Sequence, residues 1–300
     1  MDYQVLMLLR AARVNGVLDA LATSPSTPAA VASETGITGH AARTTLDALT
    51  DQGFLQQDGD EYEATDRLQR LVTDDVETMS SLAFRLDGLD RWIALPETMR
   101  SGEPPASPTD YTKHYMGAMS NVDEPTVRAC VTAAVREHPE AERVVDMGGG
   151  PGKFATEFVR RGREVTLVDR PSVIEIDEQL LADESISLVA GDIRESVPGE
   201  HDLAFCSRVV QTLSPEENQR LVQSAYDALA PGGSLVLIEV VRGYSPAAPT
   251  YRATMFAQAD SDGDAYPETQ YREWFDQAGF ENVRIESVPG TKYQVVAGDR

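Results

Sequence analysis

The chain has 300 residues, and its 49 acidic side chains against 26 lysines and arginines leave a formal net charge of −23. That length leads us to expect two domains or one enlarged domain with a substantial core, and a surface of that sign repels polyanions. Two cysteines, Cys130 and Cys206, exclude a disulfide scaffold or a zinc knuckle and read as unrelated buried thiols, so no metal site is expected.

At the N-terminus the apolar run VLMLL over residues 5–9 lacks a basic leader and is far too short to cross a bilayer. Neither an export signal nor a membrane domain is expected, and the location expected is cytoplasmic. Apolar positions recur at helical spacing from Val5 to Leu21, through Leu6, Leu9, Val14, Val17 and Leu18. PSTPAA at 25–30 breaks that pattern and starts a second helix, with Thr27 ahead of Pro28 and Gly36 closing it. A third helix is predicted from Thr38 to Leu49, with Ala42, Leu46 and Leu49 on one face. FLQQDGDEYEATD then reads as a short hairpin about its DGD turn.

Three helices and a hairpin predict a winged-helix domain over residues 1–75. Nucleic-acid binding is the first function such a domain suggests, and the charges oppose it. The segment holds five arginines, no lysine and twelve acids, and the third helix offers only Arg43, whereas a phosphate-binding face needs cations. Packing or dimerisation is the role expected instead.

Residues 76–120 read as a helical linker followed by the polar, proline-rich SGEPPASPTD, which belongs on the surface. In the next segment, YTKHYMGAM, the large side chains Tyr111, His114, Tyr115, Met116 and Met119 have two open readings: they line a ligand pocket, or they seal the helical layer. A helix from Val122 to His138 leads into the third region, residues 121–300.

There the order becomes regular. Strands are predicted at 143–147, 164–169, 186–190, 202–207 and 234–241, separated by segments of helical pattern, which implies right-handed crossovers and a largely parallel α/β sheet. ENVRIES and TKYQVVAG follow a last helix and are separated by only a short turn, so they must pair antiparallel. An open sheet ending in such a hairpin is the Rossmann-like sheet of class I methyltransferases.

The first crossing carries RVVDMGGGPGKFA. Asp146, Gly148, Gly150 and Gly152 give DxGxGxG, where glycine permits close backbone approach to a ligand and the acid at the strand end organises the loop. Asp169, which ends the second strand, is placed to accept both hydroxyls of a ribose. A nicotinamide dinucleotide remains an alternative, although the chain has no Tyr-x-x-x-Lys pair for hydride chemistry. No GxSxG elbow for hydrolysis occurs either. S-adenosyl-L-methionine is the cofactor favoured.

With those segments in view, the chain resembles the plant-type or hydroxyindole-type small-molecule O-methyltransferases over nearly its whole length. VDMGGGPGKFA, VDRPSVIE, GDIRESVPGEHDLAF and SPEENQRLVQSAYDALAPGGSLVLIEV stand in the family's order. The resemblance implies a winged-helix dimerisation domain, a homodimer and a small-molecule acceptor. It places Asp146 and the three glycines around the methionine part of the cofactor, Asp169 on the ribose, and Arg170 at the border of the adenine. Asp192 and Ile193 flank the adenine, and Ser207 and Arg208 stand where the fourth strand opens toward the methyl donor. The lysine shortage and acid excess separately resemble proteins of salt-filled cytoplasm, so salt dependence is expected.

The family supplies a histidine base just before the helix that follows the fourth strand, and here Gln211 stands in its place. Glutamine orients a hydroxyl but is no base at neutral pH. Glu239 matches the family's first supporting carboxylate, Glu268 approximates the second only loosely, and His114 is the one histidine in a segment suspected of lining the pocket. Three readings stay open: an acceptor acidic enough to need no base, proton transfer by His114 or Glu239, or methylation of carbon or nitrogen. The other expectations weighed were a protein that binds the cofactor without turnover and a winged-helix regulator.

Overall fold

The computed structural model describes residues 1–258 and 262–300, and the chain divides into two compact units. One comprises residues 1–94 and 105–121, and the other residues 95–104 and 122–300.

The first unit opens with α1 (Tyr3–Val14), α2 (Val17–Thr23), α3 (Pro28–Thr35) and α4 (Gly39–Asp51). The predicted single helix over residues 5–21 is two helices, because Gly16 adopts φ +75°. Val14, assigned to the inner face by its spacing, is consequently 65% exposed. The caps follow the reading of the sequence, with Thr27 accepting from Ala30 N and Thr38 from Ala41 N. Next come β1 (Leu55–Asp58) and β2 (Glu61–Ala64), an antiparallel hairpin, and α5 (Asp66–Val72). Helix α6 (Leu82–Ser101) starts in this unit, and α7 (Tyr111–Ser120) completes it. Its core gathers Leu9, Leu18, Val31, Leu46, Leu49 and Phe54.

The second unit begins with α8 (Glu124–Glu137), β3 (Arg143–Met147), α9 (Lys153–Arg160), β4 (Glu164–Asp169), α10 (Pro171–Leu180) and β5 (Ile186–Ala190). It continues through β6 (His201–Ser207), α11 (Pro215–Ala228), β7 (Leu229–Glu239), α12 (Ala248–Gln258), α13 (Glu268–Ala278), β8 (Glu281–Ser287) and β9 (Gln294–Asp299). The strands form one seven-stranded sheet in the order β5-β4-β3-β6-β7-β9-β8, parallel except for β9, which is antiparallel to both β7 and β8. This is the expected Rossmann-like sheet with its terminal hairpin.

Successive strand residues point to opposite faces, so each face has its own core. Val144, Phe205, Val236 and Ile238 pack with α8 and α9 residues such as Cys130 and Phe158. Val145, Met147, Leu235 and Leu237 pack with Leu221, Trp274 and Phe275 of α11 and α13. The two cysteines are buried and unbridged.

The sheet reverses direction of construction between β3 and β6, which pair directly with Asp146 opposite Phe205. A crevice at the C-terminal ends of strands flanking such a reversal is where open α/β sheets hold ligands. The fold therefore brings the loop after Asp146 beside the segment after Ser207.

Candidate active site

Asp146 lies at the C-terminal end of β3 and is 1% exposed. The loop that follows wraps over it: a Cβ on Gly149 would lie 2.5 Å from the Asp146 carboxyl carbon. Gly148 and Gly152 adopt φ +71° and +76°, which L side chains rarely adopt. A Cβ at either would also meet Val209 at 2.8 Å or Leu181 at 2.5 Å. Gly148 N donates to Val168 O at 2.8 Å. Gly150 N donates to Asp169 Oδ2 at 3.2 Å, while Arg170 N donates to Asp169 Oδ1 at 2.7 Å. Asp146, the three predicted glycines, Asp169 and Arg170 are thus brought together.

Burial is the main reason the Asp146 carboxyl is raised to about 8, and repulsion from Asp169 and Asp177 adds to it. Asp169 is also raised by burial, against the two amides that bond it. Asp177 on α10 lies outside the glycine-and-acid spacing of the loop. It is 0% exposed, neither carboxyl oxygen has a partner, and burial followed by repulsion from Asp169 lifts it to about 7. A signal was available, since Val173, Ile174, Asp177 and Leu181 follow helical spacing and the acid occupies a place in an apolar stripe. Gly149, whose close approach is as tight as that of Gly152, also stands outside the DxGxGxG pattern.

Ile193 is 9% exposed, with its Cδ1 3.4 Å from the position of a Gly148 Cβ. The carboxylate of Asp192 is engaged by Arg194, which donates from its backbone N at 2.9 Å, from Nε at 2.8 Å and from Nη2 at 2.6 Å. That guanidinium hydrogen bond is the main cause holding Asp192 below the usual range. Arg194 also pairs with Glu217, whose other oxygen closes the capping box on Ser214 N.

At the end of β6, Ser207 Oγ is buried without a hydrogen-bond partner, and Arg208 takes the left-handed φ of +62°. A 3-10 turn, Val210–Thr212, carries Gln211. The Gln211 side chain is buried, with Nε2 3.4 Å from Arg208 O and Oε1 unpartnered. Glu239 is fully buried at the end of β7, and its Oε1 accepts from Val210 N at 3.1 Å. Burial raises it to about 8 despite that amide and the charge of Arg208. Asn218 Nδ2 pins the same turn by donating to Val210 O at 2.9 Å and Leu213 O at 3.2 Å. Gln211 and Glu239 therefore share one turn.

Glu268 heads α13, where the Tyr244 hydroxyl and Arg272 Nε donate to its two oxygens at 2.5 and 2.7 Å. His114 belongs to the first unit; its Nδ1 lies 2.6 Å from Asp87 Oδ2, and Arg13 pairs with the other oxygen of that buried acid. In the same unit Met116 is fully buried, and the rings of Tyr111 and Tyr115 both pack at 5.5 Å on Phe84. Among the described residues, no group of three or more His, Cys, Asp or Glu is arranged to hold a metal ion, and no helix is long and apolar enough to cross a membrane.

Residues 105–281 match the model of a family described as the O-methyltransferase domain. The chain is 28% identical over 166 residues to acetylserotonin O-methyltransferase of Gallus gallus, a stretch covering 52% of this chain and 47% of the relative, so it matches about half the length of that enzyme. It is 26% identical over 314 residues to 3-hydroxy-5-methyl-1-naphthoate 3-O-methyltransferase of Streptomyces sahachiroi, covering 97% of this chain and 90% of the relative. Among solved structures, human N-acetylserotonin methyltransferase in complex with SAM superposes with a TM-score of 0.69 at 22% identity over 99% of this chain and 94% of that one. Mitomycin 7-O-methyltransferase superposes with a TM-score of 0.74 at 21% identity over 98% and 94%. At these identities the superpositions establish the fold of a class I methyltransferase.

Proposed function

Because the chain belongs to the O-methyltransferase family, we propose that it transfers the methyl group of S-adenosyl-L-methionine to a hydroxyl of a small aromatic, quinol-like or isoprenoid acceptor. The observation that carries this reading is the junction of the glycine loop with Asp169, where Gly150 N meets the carboxylate. The residues present suit the cofactor. Asp146 lies beneath the loop with one buried oxygen lacking a partner, and any side chain at Gly148 or Gly152 would strike Val209 or Leu181, so the path of the loop depends on these glycines. Asp169 takes the ribose hydroxyls, Arg170 borders the adenine, and Ile193 forms its apolar wall beside Asp192. Bound there, the cofactor supplies an electrophilic methyl group.

The protein's own contribution is alignment, which is a major source of rate in methyl transfer. Gln211 orients the acceptor hydroxyl, and Glu239 sets the position of the turn that carries Gln211. Titration calorimetry with S-adenosylmethionine and S-adenosylhomocysteine, followed by a labelled-methyl screen of phenols, tests the reading. Absence of binding by both nucleosides sinks it. Binding without transfer to any acceptor leaves the protein as a cofactor binder.

We infer in addition that residues 1–75 serve as a winged-helix dimerisation domain. On α1 the apolar side chains of Tyr3, Met7 and Val14 are 71%, 41% and 65% exposed, which supports an apolar face awaiting a second copy. The charge of −23 supports a salt-filled cytoplasm as its setting, where screening offsets self-repulsion. Light scattering at several salt concentrations tests both points, and a monomer in high salt overturns the dimer.

A further inference from the structure

Arg208 is the one non-glycine residue among the site residues with left-handed backbone, at φ +62°. A strained backbone of this kind persists only where the surroundings enforce it, and it concentrates at functional positions. Here Arg208 N is bonded to Ile238 O at 3.0 Å, and the guanidinium lies 5.5 Å over the ring of Phe154, two residues past Gly152. The arginine therefore stands beside the loop assigned to the methyl donor.

Four buried groups and the half-buried Tyr251 feel its positive charge: Asp146 on β3, Glu239 on β7, Cys130 on α8, Tyr293 just before β9, and Tyr251 on α12. Yet none forms an ion pair with it among the described residues, and its Nε is buried without a hydrogen-bond partner. Beside it stand Tyr251 and Tyr293, whose hydroxyls both feel the charge of Arg208. A second cation, Lys292, lies with Nζ 4.9 Å from the Tyr251 ring and 5.4 Å from the Tyr293 ring. Arg208 and Lys292 thus both act on this pair of tyrosines, and Gln211, the residue that cannot remove a proton, has its Nε2 3.4 Å from Arg208 O.

We propose that Arg208, with Lys292 and the Tyr251–Tyr293 pair, forms an anion subsite, and that the acceptor is an aromatic hydroxyl held there already ionised, its oxygen on Arg208. The proposal rests on the methyltransferase reading above. It names the acceptor class as phenols or enols more acidic than an ordinary phenol, whose pKa is about 10. The proton passes to bulk water before the reaction. A lone pair of the oxyanion then forms the new oxygen–carbon bond as the carbon–sulfur bond breaks, and the electrons of that bond leave on sulfur. An anion and a sulfonium cation give two neutral products, and no base is required at residue 211.

The probe is 4-nitrophenol, whose phenol and phenolate have distinct absorption spectra. It is titrated with the full-length protein across pH, with and without S-adenosylhomocysteine. On the wild-type protein the bound probe is expected to remain ionised to lower pH than the free probe, with the phenolate-to-phenol ratio raised roughly tenfold at fixed pH. Arg208→Gln is expected to abolish that shift and Arg208→Lys to keep part of it. If Arg208→Gln does not fold, Lys292→Gln is expected to show a smaller loss of the same kind.

A bound probe that titrates at or above the free value, no saturable binding of the phenolate, or an unchanged shift in Arg208→Gln overturns the subsite. If S-adenosylhomocysteine binds while the probe fails in one of these ways, only the subsite falls. If the nucleoside itself does not bind, the methyltransferase reading falls.

Discussion

Glu239 Oε1 accepts the backbone N–H of Val210 at 3.1 Å, so an acid at the end of β7 fixes the turn that carries Gln211. Removing that carboxylate leaves a buried donor without an acceptor and opens a cavity. We expect Glu239→Ala to cost about 2–4 kcal/mol of unfolding free energy and to raise amide exchange at residues 210–212. Glu239→Gln retains an oxygen for Val210 N and is expected to stay within about 1 kcal/mol of wild type. Equal losses in both variants, measured by denaturant unfolding, would show that the acid serves the turn through its charge and not through this bond.

Gly149 is expected to be as intolerant as the glycines of the DxGxGxG pattern. Its missing Cβ is replaced by the Asp146 carboxyl at 2.5 Å, so Gly149→Ala must displace the acid on which the loop is built. Affinity for S-adenosylhomocysteine is expected to fall at least about tenfold, equivalent to about 1.4 kcal/mol. Gly39→Ala is the control, since nothing lies within 4 Å of a Cβ there. Calorimetry on the two variants decides, and an undiminished affinity in Gly149→Ala removes the tight loop from the account of binding.

Restoring a histidine separates the roles of residue 211. If the acceptor arrives ionised, Gln211→His gains nothing with acidic phenols and gains only with phenols near the ordinary pKa of about 10. Gln211→Ala is expected to lower the rate for both by roughly tenfold to a hundredfold through lost alignment. The measurement is methyl transfer to a series of substituted phenols across pH. A gain with His that does not depend on acceptor acidity would mean that proton removal limits the wild-type reaction.

Much of the α/β unit was legible because its signals are local and periodic. The strands, the alternating faces of residues such as Val144 and Val145, the antiparallel ending and the glycine loop all follow from pattern and turn chemistry. What escaped depends on contacts between segments distant in sequence. The Asn15-Gly16 break was hidden by apolar spacing that continues across it, and the weakly patterned α12 gave no start signal. Nothing in GDIRE announces that Arg194 takes the Asp192 carboxylate. Arg208 is placed at the site by the resemblance, but its left-handed backbone and its buried nitrogen without a partner are features that only the structure shows.

Asp177 provides a test that does not depend on catalysis. Its carboxyl is lifted to about 7, first by burial and then by Asp169, and its two oxygens lack partners. In the unfolded chain an aspartate titrates near about 3.9. Between those values the native state holds a proton that the unfolded state has lost, so stability falls as pH rises from about 4 to about 7 and levels off above that range. Asparagine has the shape of the protonated acid without the ability to ionise. Asp177→Asn should therefore match wild type near pH 4, exceed it progressively through neutrality, and be more stable by about 1–3 kcal/mol at pH 8. Asp146 and Glu239 are both raised to about 8 and keep their own contributions, so the variant loses only part of the pH dependence of the wild type. Paired unfolding curves at pH 4, 6 and 8 measure this directly. A difference that is constant across pH would assign Asp177 a packing role and remove its ionisation from the energetics of the site.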